Sequence, residues 1–371
     1  MDLLKRVLVV SFFLASLIWL GKAFFLGTYP DFTVYFDGLH AYLQGANPYL
    51  EIEGSFIKYL YPPFALLFFS PMSFFSRSIG SIVWVGFSIL LLLSSTALLF
   101  KIGKKKIVSS EYFVLTGLVF LMFTVKFNLG MGQFNIVNLF LITLFLFYYQ
   151  KGRIQFAAIS LALSLLIKVL PLLFLPYLVI LRKWRLVLTL LGLVTLGLVL
   201  PFLFIKPDII FHFFTTSLVG TIKSWSLEYY NQAFSGFIGR WLGTGEIAQL
   251  TKLLCVSLML TITFTTLFLK RKVVGVSLLG FVSLLPLTLI TLSFSWQHYF
   301  IFAIPTLIIM FFHYQKRKAS LVMYSFLFVS YVLMGINFET PQDFPLFIQS
   351  HMLWGAMLAW GLTLYEIYHY D

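Results

Sequence analysis

The stretch Gly80-Ser81-Ile82-Val83-Trp84-Val85-Gly86-Phe87-Ser88-Ile89-Leu90-Leu91-Leu92-Leu93-Ser94-Ser95-Thr96-Ala97-Leu98-Leu99-Phe100 runs for 21 residues without a charge. It closes on Lys101, Lys104, Lys105 and Lys106. A helix needs roughly 20 apolar residues to cross a bilayer. Lysines just beyond such a run mark a cytoplasmic end.

The pattern recurs along the chain. Hydrophobic residues make up 60 % of the 371, aromatics 19 % and charged residues only 11 %; the mean hydropathy is +0.95. Soluble domains carry about 25 % charge. This composition therefore excludes a soluble domain, a disordered chain and a DNA-binding module. Strands of an outer-membrane barrel alternate and look only weakly apolar, so a barrel is excluded too. Helices remain, because they satisfy their own backbone in lipid. The single cysteine, Cys255, excludes a disulfide framework and a thiolate metal cage. The net charge of +13 reads as a topology signal rather than as a nucleic-acid partner.

Further basic clusters stand at Lys5-Arg6, Lys151 with Arg153, Arg182-Lys183 with Arg185, Lys270-Arg271-Lys272 and Lys316-Arg317-Lys318. Placing all of them in the cytoplasm requires even numbers of spans between them. The apolar runs comply, at 7–26, 80–100, 111–127, 134–149, 154–167, 168–181, 186–205, 249–269, 273–292, 298–312, 320–336 and 348–365. The expected architecture is an all-α polytopic bundle of about 11–13 transmembrane helices, one integral-membrane domain over 1–371. No cleavage site closes the first run, so it reads as a retained span. The segment 62–76, broken by Pro71, reads as a juxtamembrane helix at the outer interface.

Two outer loops follow, 27–79 and 206–248. Nine of the 13 acids lie on that side: Asp31, Asp37, Glu51, Glu53, Asp208, Glu228, Glu246, Glu339 and Asp343. None sits mid-span, where pumps and proton-coupled transporters place ionisable groups. Polar chemistry gathered at one face points to an enzyme working there. A flippase or other transporter is the alternative.

In the first loop, Phe32, Tyr35, Phe36, Leu39, Tyr42 and Leu43 recur at helical spacing, as on an interfacial helix. Asp31 at its start admits two readings, an N-cap or a carboxylate base. Asp37 lies about 120° away around the helix, so the two do not form a paired-acid site. Glu51 and Glu53 offer too few ligands for a cation by themselves. Gln133 and Asn135 at a helix mouth suit either a neighbouring helix or a sugar hydroxyl. Lys168, isolated before Pro171, either snorkels or binds phosphate. Asn231 and Gln232 follow Tyr229 and Tyr230, as in carbohydrate sites or an aromatic belt. Arg240 is suited to a phosphate. Trp296 and His298 precede a span.

Taken in order, Asp31-x-x-x-Tyr35, Gly45-x-x-Pro48-Tyr49, Tyr61-Pro62-Pro63, Gly132-Gln133-x-Asn135, Lys168-x-x-Pro171, Asn231-Gln232 and Ser295-Trp296-x-His298 resemble the glycosyltransferase 87 family. These are integral-membrane enzymes of the GT-C superfamily, best known for polyprenyl-phosphate-mannose-dependent mannosyltransferases of glycolipid synthesis. The resemblance runs from about residue 30 to 312. It implies a GT-C-like fold and inverting transfer of a sugar, mannose in the best-known members, from a polyprenyl phosphate to a glycolipid or glycan acceptor. No metal or other cofactor is expected. Asp31 would be the base. Lys168, Arg240 and His298 would hold the donor phosphate. Tyr35, Gln133, Asn135, Asn231, Gln232 and Trp296 would orient sugars. The family often has two adjacent histidines after the tryptophan; here the first is Gln297. The implied location is the extracytoplasmic face of a bacterial plasma membrane. A transferase of another lipid-linked sugar is the closest alternative.

Overall fold

A computed structural model describes residues 3–52, 57–107, 109–219, 227–338 and 343–370. Glu53 and Glu339 therefore lie outside the described residues. The protein is all-α. Its helices are α1 (Leu3–Leu26), α2 (Pro30–Leu43), α3 (Pro63–Phe69), α4 (Arg77–Ile102), α5 (Ser110–Leu121), α6 (Phe123–Met131), α7 (Asn135–Gln150), α8 (Ile154–Ile167) and α9 (Phe174–Ile180). They continue with α10 (Trp184–Val199), α11 (Pro207–His212), α12 (Phe234–Leu242), α13 (Glu246–Leu269), α14 (Val276–Thr291), α15 (Ile304–Arg317), α16 (Leu321–Gly335), α17 (Leu346–Gln349) and α18 (His351–Tyr368). Short 3-10 segments at Leu170–Leu173 and Gln297–Ala303 lead into α9 and α15. Among the described residues an isolated antiparallel bridge joins Asn231 to Trp296.

Each apolar run becomes a helix, but the helices are unequal. Five are long and apolar enough to cross a membrane, or six if the bent pair α5–α6 is one span. The others are shorter. At 1.5 Å per residue, the 16 residues of α7 cover about 24 Å, less than the roughly 30 Å of a hydrocarbon core. The segment 62–76 forms the seven-residue α3 and a five-residue 3-10 turn, too short to cross. The run 111–127 is not the straight span its hydropathy predicts. It bends by 62° between Leu121 and Phe123, because Met122 takes an extended conformation, φ −61° and ψ 130°.

The longer helices pack in pairs: α1 on α5, α4 on α7, α7 on α8 and α8 on α10. The last helix, α18, lies between α14 and α16. Three basic clusters meet at one end of the bundle, as the even-span argument requires. Lys105 donates to Gln315 (2.5 Å), which donates to Glu111. The buried Glu366 accepts from His313 (2.9 Å) and pairs with Arg317. Lys270 reaches the Tyr370 carbonyl at 3.0 Å.

At the other end, Phe134 is an aromatic hub. Tyr35, Tyr61, Phe69 and Trp84 pack around it at centroid distances of 4.5, 5.3, 5.7 and 5.0 Å. The α6–α7 turn has Gly132 at φ +70°, where a Cβ would stand 2.7 Å from the Phe32 Cβ. Only glycine fits both the left-handed backbone and this approach of α2. The Gly132 carbonyl accepts from the Trp84 indole at 2.8 Å. This turn aims the next residue, Gln133, at α2.

Candidate active site

The N-cap reading of Asp31 does not hold. The cap position of α2 is Tyr29, in the left-handed region, and no side chain caps the helix. Asp31 is the second helical residue, is buried, and takes its hydrogen bond from the Gln133 side-chain amide. The Gln133 carbonyl oxygen accepts from Tyr61 at 2.9 Å and from Tyr35 at 3.2 Å. The two phenols also meet each other at 3.0 Å. Gln133 thus joins the carboxylate to two tyrosines in one closed network. Burial pushes the Asp31 carboxyl up to about 7, against the opposing pull of the Gln133 amide and the charge of Lys168. Asp37 belongs elsewhere: it pairs with Arg77 at the start of α4.

Lys168 ends α8 in an extended conformation, and Pro171 follows within the 3-10 turn. This break turns its side chain into the site. Its ammonium donates to Asn135 Oδ1 at 2.7 Å and stands over the rings of Tyr299 (3.7 Å) and Tyr61 (5.5 Å). A cation over an aromatic face is attracted by the ring quadrupole. No carboxylate lies within ion-pair distance of Lys168 among the described residues. Lys168 is half-buried beside a carboxylate held by an amide, and burial pulls its ammonium down to about 7 against the opposing pull of the Asp31 charge.

Asn135 links onward. Its amide donates to Asn128 Oδ1 at 2.9 Å, and the Asn128 amide reaches the His298 carbonyl at 2.7 Å. The His298 ring packs against Tyr299 at 4.8 Å and Trp296 at 5.7 Å. Its Nδ1 is buried and has no hydrogen-bond partner among the described residues. An unsatisfied buried ring nitrogen next to a cation is the arrangement that an incoming anion would complete.

The second outer loop places its residues differently. The Asn231 oxygen accepts from the backbone of Ala233 (3.1 Å) and Ser295 (3.0 Å). The Gln232 amide donates to the carbonyls of Tyr229 (3.0 Å) and Gln349 (2.7 Å), and its oxygen accepts from Met352. These amides fasten one backbone segment to another. Arg240 does the same. One terminal nitrogen donates to the carbonyls of Glu228 and Asn231, both at 2.9 Å, and the other to Ser350. Its Nε is buried without a partner among the described residues. Burial lowers this guanidinium to about 10. Gln297, where the resemblance leads one to expect histidine, donates to Asn337 at 2.9 Å.

Asp31, Tyr35, Gln133, Asn135, Lys168 and His298 are thus brought together by five different elements. Asn231, Gln232 and Arg240 form a neighbouring clamp, and Trp296 joins the two. Sequence reasoning missed Tyr299 and Asn128 and gave Tyr61 no role. A polar Asn128 in an apolar run, and tyrosines beside His298 and before Pro62-Pro63, were the available signals.

Residues 59–295 match the model of glycosyltransferase family 87. None of the curated proteins matches the chain. Among solved structures, the chain is similar to ArnT from Cupriavidus metallidurans bound to undecaprenyl phosphate. The identity is 13 % and the TM-score 0.48, covering 96 % of this chain and 76 % of that one. The apo form of the same protein gives 14 % identity and a TM-score of 0.48, with 97 % and 76 % covered.

Proposed function

As the chain belongs to glycosyltransferase family 87, we propose that it moves a sugar, mannose, from a polyprenyl phosphate to a glycolipid or glycan acceptor. The observation that carries this reading is the buried carboxylate of Asp31, held by Gln133 beside the Lys168 cation. A base and an anion site share one network at the end of the bundle opposite the lysine clusters. That end faces the outside of a bacterial plasma membrane.

Asp31 takes the proton of the acceptor hydroxyl as its oxygen attacks the anomeric carbon. The bond from that carbon to the phosphate oxygen breaks, with inversion. The polyprenyl monophosphate leaves with the electron pair, and its growing charge is met by Lys168 and by His298 Nδ1. Tyr35, Gln133 and Asn135 fix the carboxylate and the ammonium in place. Asn231, Gln232 and Arg240 hold the loop that presents Trp296 to the sugars.

The test uses membranes carrying the protein, with radiolabelled undecaprenyl-phosphate mannose and GDP-mannose as competing donors. Transfer from the lipid-linked donor alone supports the reading. Direct transfer from the nucleotide sugar, or none from any polyprenyl-phosphate sugar, overturns it.

A further inference from the structure

Trp19 stands near the outer end of α1 and is 39 % exposed. Two lysines from different helices converge on its ring. The Lys126 ammonium, from α6, lies 4.2 Å from the ring centroid, and the Lys22 ammonium, from α1 itself, lies 5.2 Å away. Among the described residues no carboxylate comes within ion-pair distance of either lysine. Arg77, at the start of α4, has Asp37 for a partner; these two cations share only a ring. Like charges gathered without a counter-ion repel, and an anion placed between them turns that repulsion into attraction.

The depth of the pair says which anion. The apolar span Leu4–Lys22 has 19 residues, about 28 Å at 1.5 Å per residue, close to the roughly 30 Å of a hydrocarbon core. Lys22 thus stands where the headgroup phosphates begin, and Trp19 at the level of an interfacial belt. Much of α1 is exposed, and it contributes no residue to the Asp31 network, so the pair faces surrounding lipid. A lysine that only snorkels stretches its head into water. Lys126 is instead half-buried and held over an indole.

The pair is joined to the candidate active site through α6. Three successive residues of this nine-residue helix take different partners. Lys126 meets Trp19, Phe127 packs on the His298 ring at 5.6 Å, and Asn128 donates to the His298 carbonyl at 2.7 Å. The 62° bend at Met122 sets α6 off from α5, so contacts of its own must fix its position. A ligand that ties Lys126 to α1 also steadies the helix on which His298 leans.

We propose that Lys22 and Lys126, around Trp19, bind the phosphate of an anionic membrane phospholipid, at a site separate from the donor phosphate at Lys168 and His298. Both ammoniums donate to the unesterified phosphate oxygens, and the bound lipid braces α6 against α1. The binding stands apart from the transferase reading; only its effect on transfer rests on that reading.

The full-length protein in detergent is titrated with phosphatidylglycerol and with diacylglycerol of the same chains, and the first bound equivalent is read by native mass spectrometry. A lysine near an anionic lipid contributes about fivefold in affinity. Lys22→Gln and Lys126→Gln are therefore each expected to weaken phosphatidylglycerol about fivefold and together about 25-fold, whereas Lys126→Arg retains it. Lys22 is exposed, so Lys22→Gln tests the site without touching the packed interior. Diacylglycerol binding as tightly as phosphatidylglycerol, or affinity indifferent to Lys22→Gln, overturns the proposal. So does displacement of the lipid by inorganic phosphate, which would make this a free-anion site, or by equimolar undecaprenyl phosphate, which would make it a carrier site. In phosphatidylcholine nanodiscs, added phosphatidylglycerol is expected to raise transfer from undecaprenyl-phosphate mannose by wild type and not by the double variant. Transfer indifferent to phosphatidylglycerol overturns the bracing of His298. Should no transfer occur in any lipid, the transferase reading fails, and the binding measurements still decide the site.

Discussion

Replacing Asp31 by Asn removes a proton acceptor and little else. The asparagine oxygen can still accept the Gln133 amide that Asp31 accepts now, and the side-chain volume hardly changes. The effect on folding has a definite sign. The carboxyl stands at about 7 instead of 3.8, so holding it ionised costs about 4 kcal/mol at 1.36 kcal/mol per unit. A folded value above the unfolded one means that stability is fully present below 3.8 and falls as pH rises through 7. The neutral Asp31→Asn variant escapes this fall. At pH 8 its thermal midpoint should equal or exceed that of wild type. The effect on catalysis has the opposite direction. Transfer by wild type should fall about tenfold per pH unit below 7, and fall again above 7 as the Lys168 ammonium, lowered by burial to about 7, loses its proton. Asp31→Asn should lose ~10²- to 10⁴-fold and show no such fall below 7. The assay is the initial rate from radiolabelled undecaprenyl-phosphate mannose at matched expression, with Asp37→Asn as control because Asp37 pairs with Arg77 instead. Full activity in Asp31→Asn, or a wild-type profile flat through pH 7, would refute this chemistry. Glu51 and Glu228 would then be the next candidates.

Lys168→Ala should lower transfer about ten- to hundredfold, since a hydrogen bond to a charged group contributes about 1.5–3 kcal/mol. Unchanged donor kinetics would make it a lysine that only snorkels. Gln133→Leu leaves Asp31 without its amide partner. It should cost about 1–3 kcal/mol of stability for the unpaired group, read as a lower thermal midpoint, and move the midpoint of the acid limb of the pH–rate profile above 7; a limb midpoint that stays or drops would contradict the network. In a Cys255→Ser background, single cysteines at 104, 183 and 317 should resist an impermeant thiol reagent in intact cells, while one at the exposed position 51 should react. Labelling at 104 from outside would sink the even-span topology.

The positions of the helices were legible because apolar runs and lysine clusters report directly on burial and on chain direction. The bend at Met122 was not, since neither proline nor glycine marks it and the break is a backbone choice made against neighbouring helices. Within the site, Asp31, Lys168 and His298 stood out because a charge or an imidazole in apolar surroundings costs free energy to hold there. The amides were ambiguous for a physical reason. Asn231 and Gln232 have the same chemistry as Gln133 and Asn135. Only the folded chain decides that the first pair meets backbone groups and the second pair meets ionisable side chains. Tyr299 escaped notice because its role depends on where the Lys168 ammonium comes to rest.

The break at Met122 has an evolutionary reading. In an unbroken helix, inserting one residue turns everything beyond it by about 100°, so the length of a span and the aim of its far end cannot vary independently. Here the extended residue between α5 and α6 resets the helical phase. The membrane-facing half can lengthen or shorten to suit a thicker or thinner bilayer, and Asn128, six residues past the break, keeps its hold on the His298 carbonyl. Relatives living in different membranes are therefore expected to differ in the length of α5 far more than in that of α6.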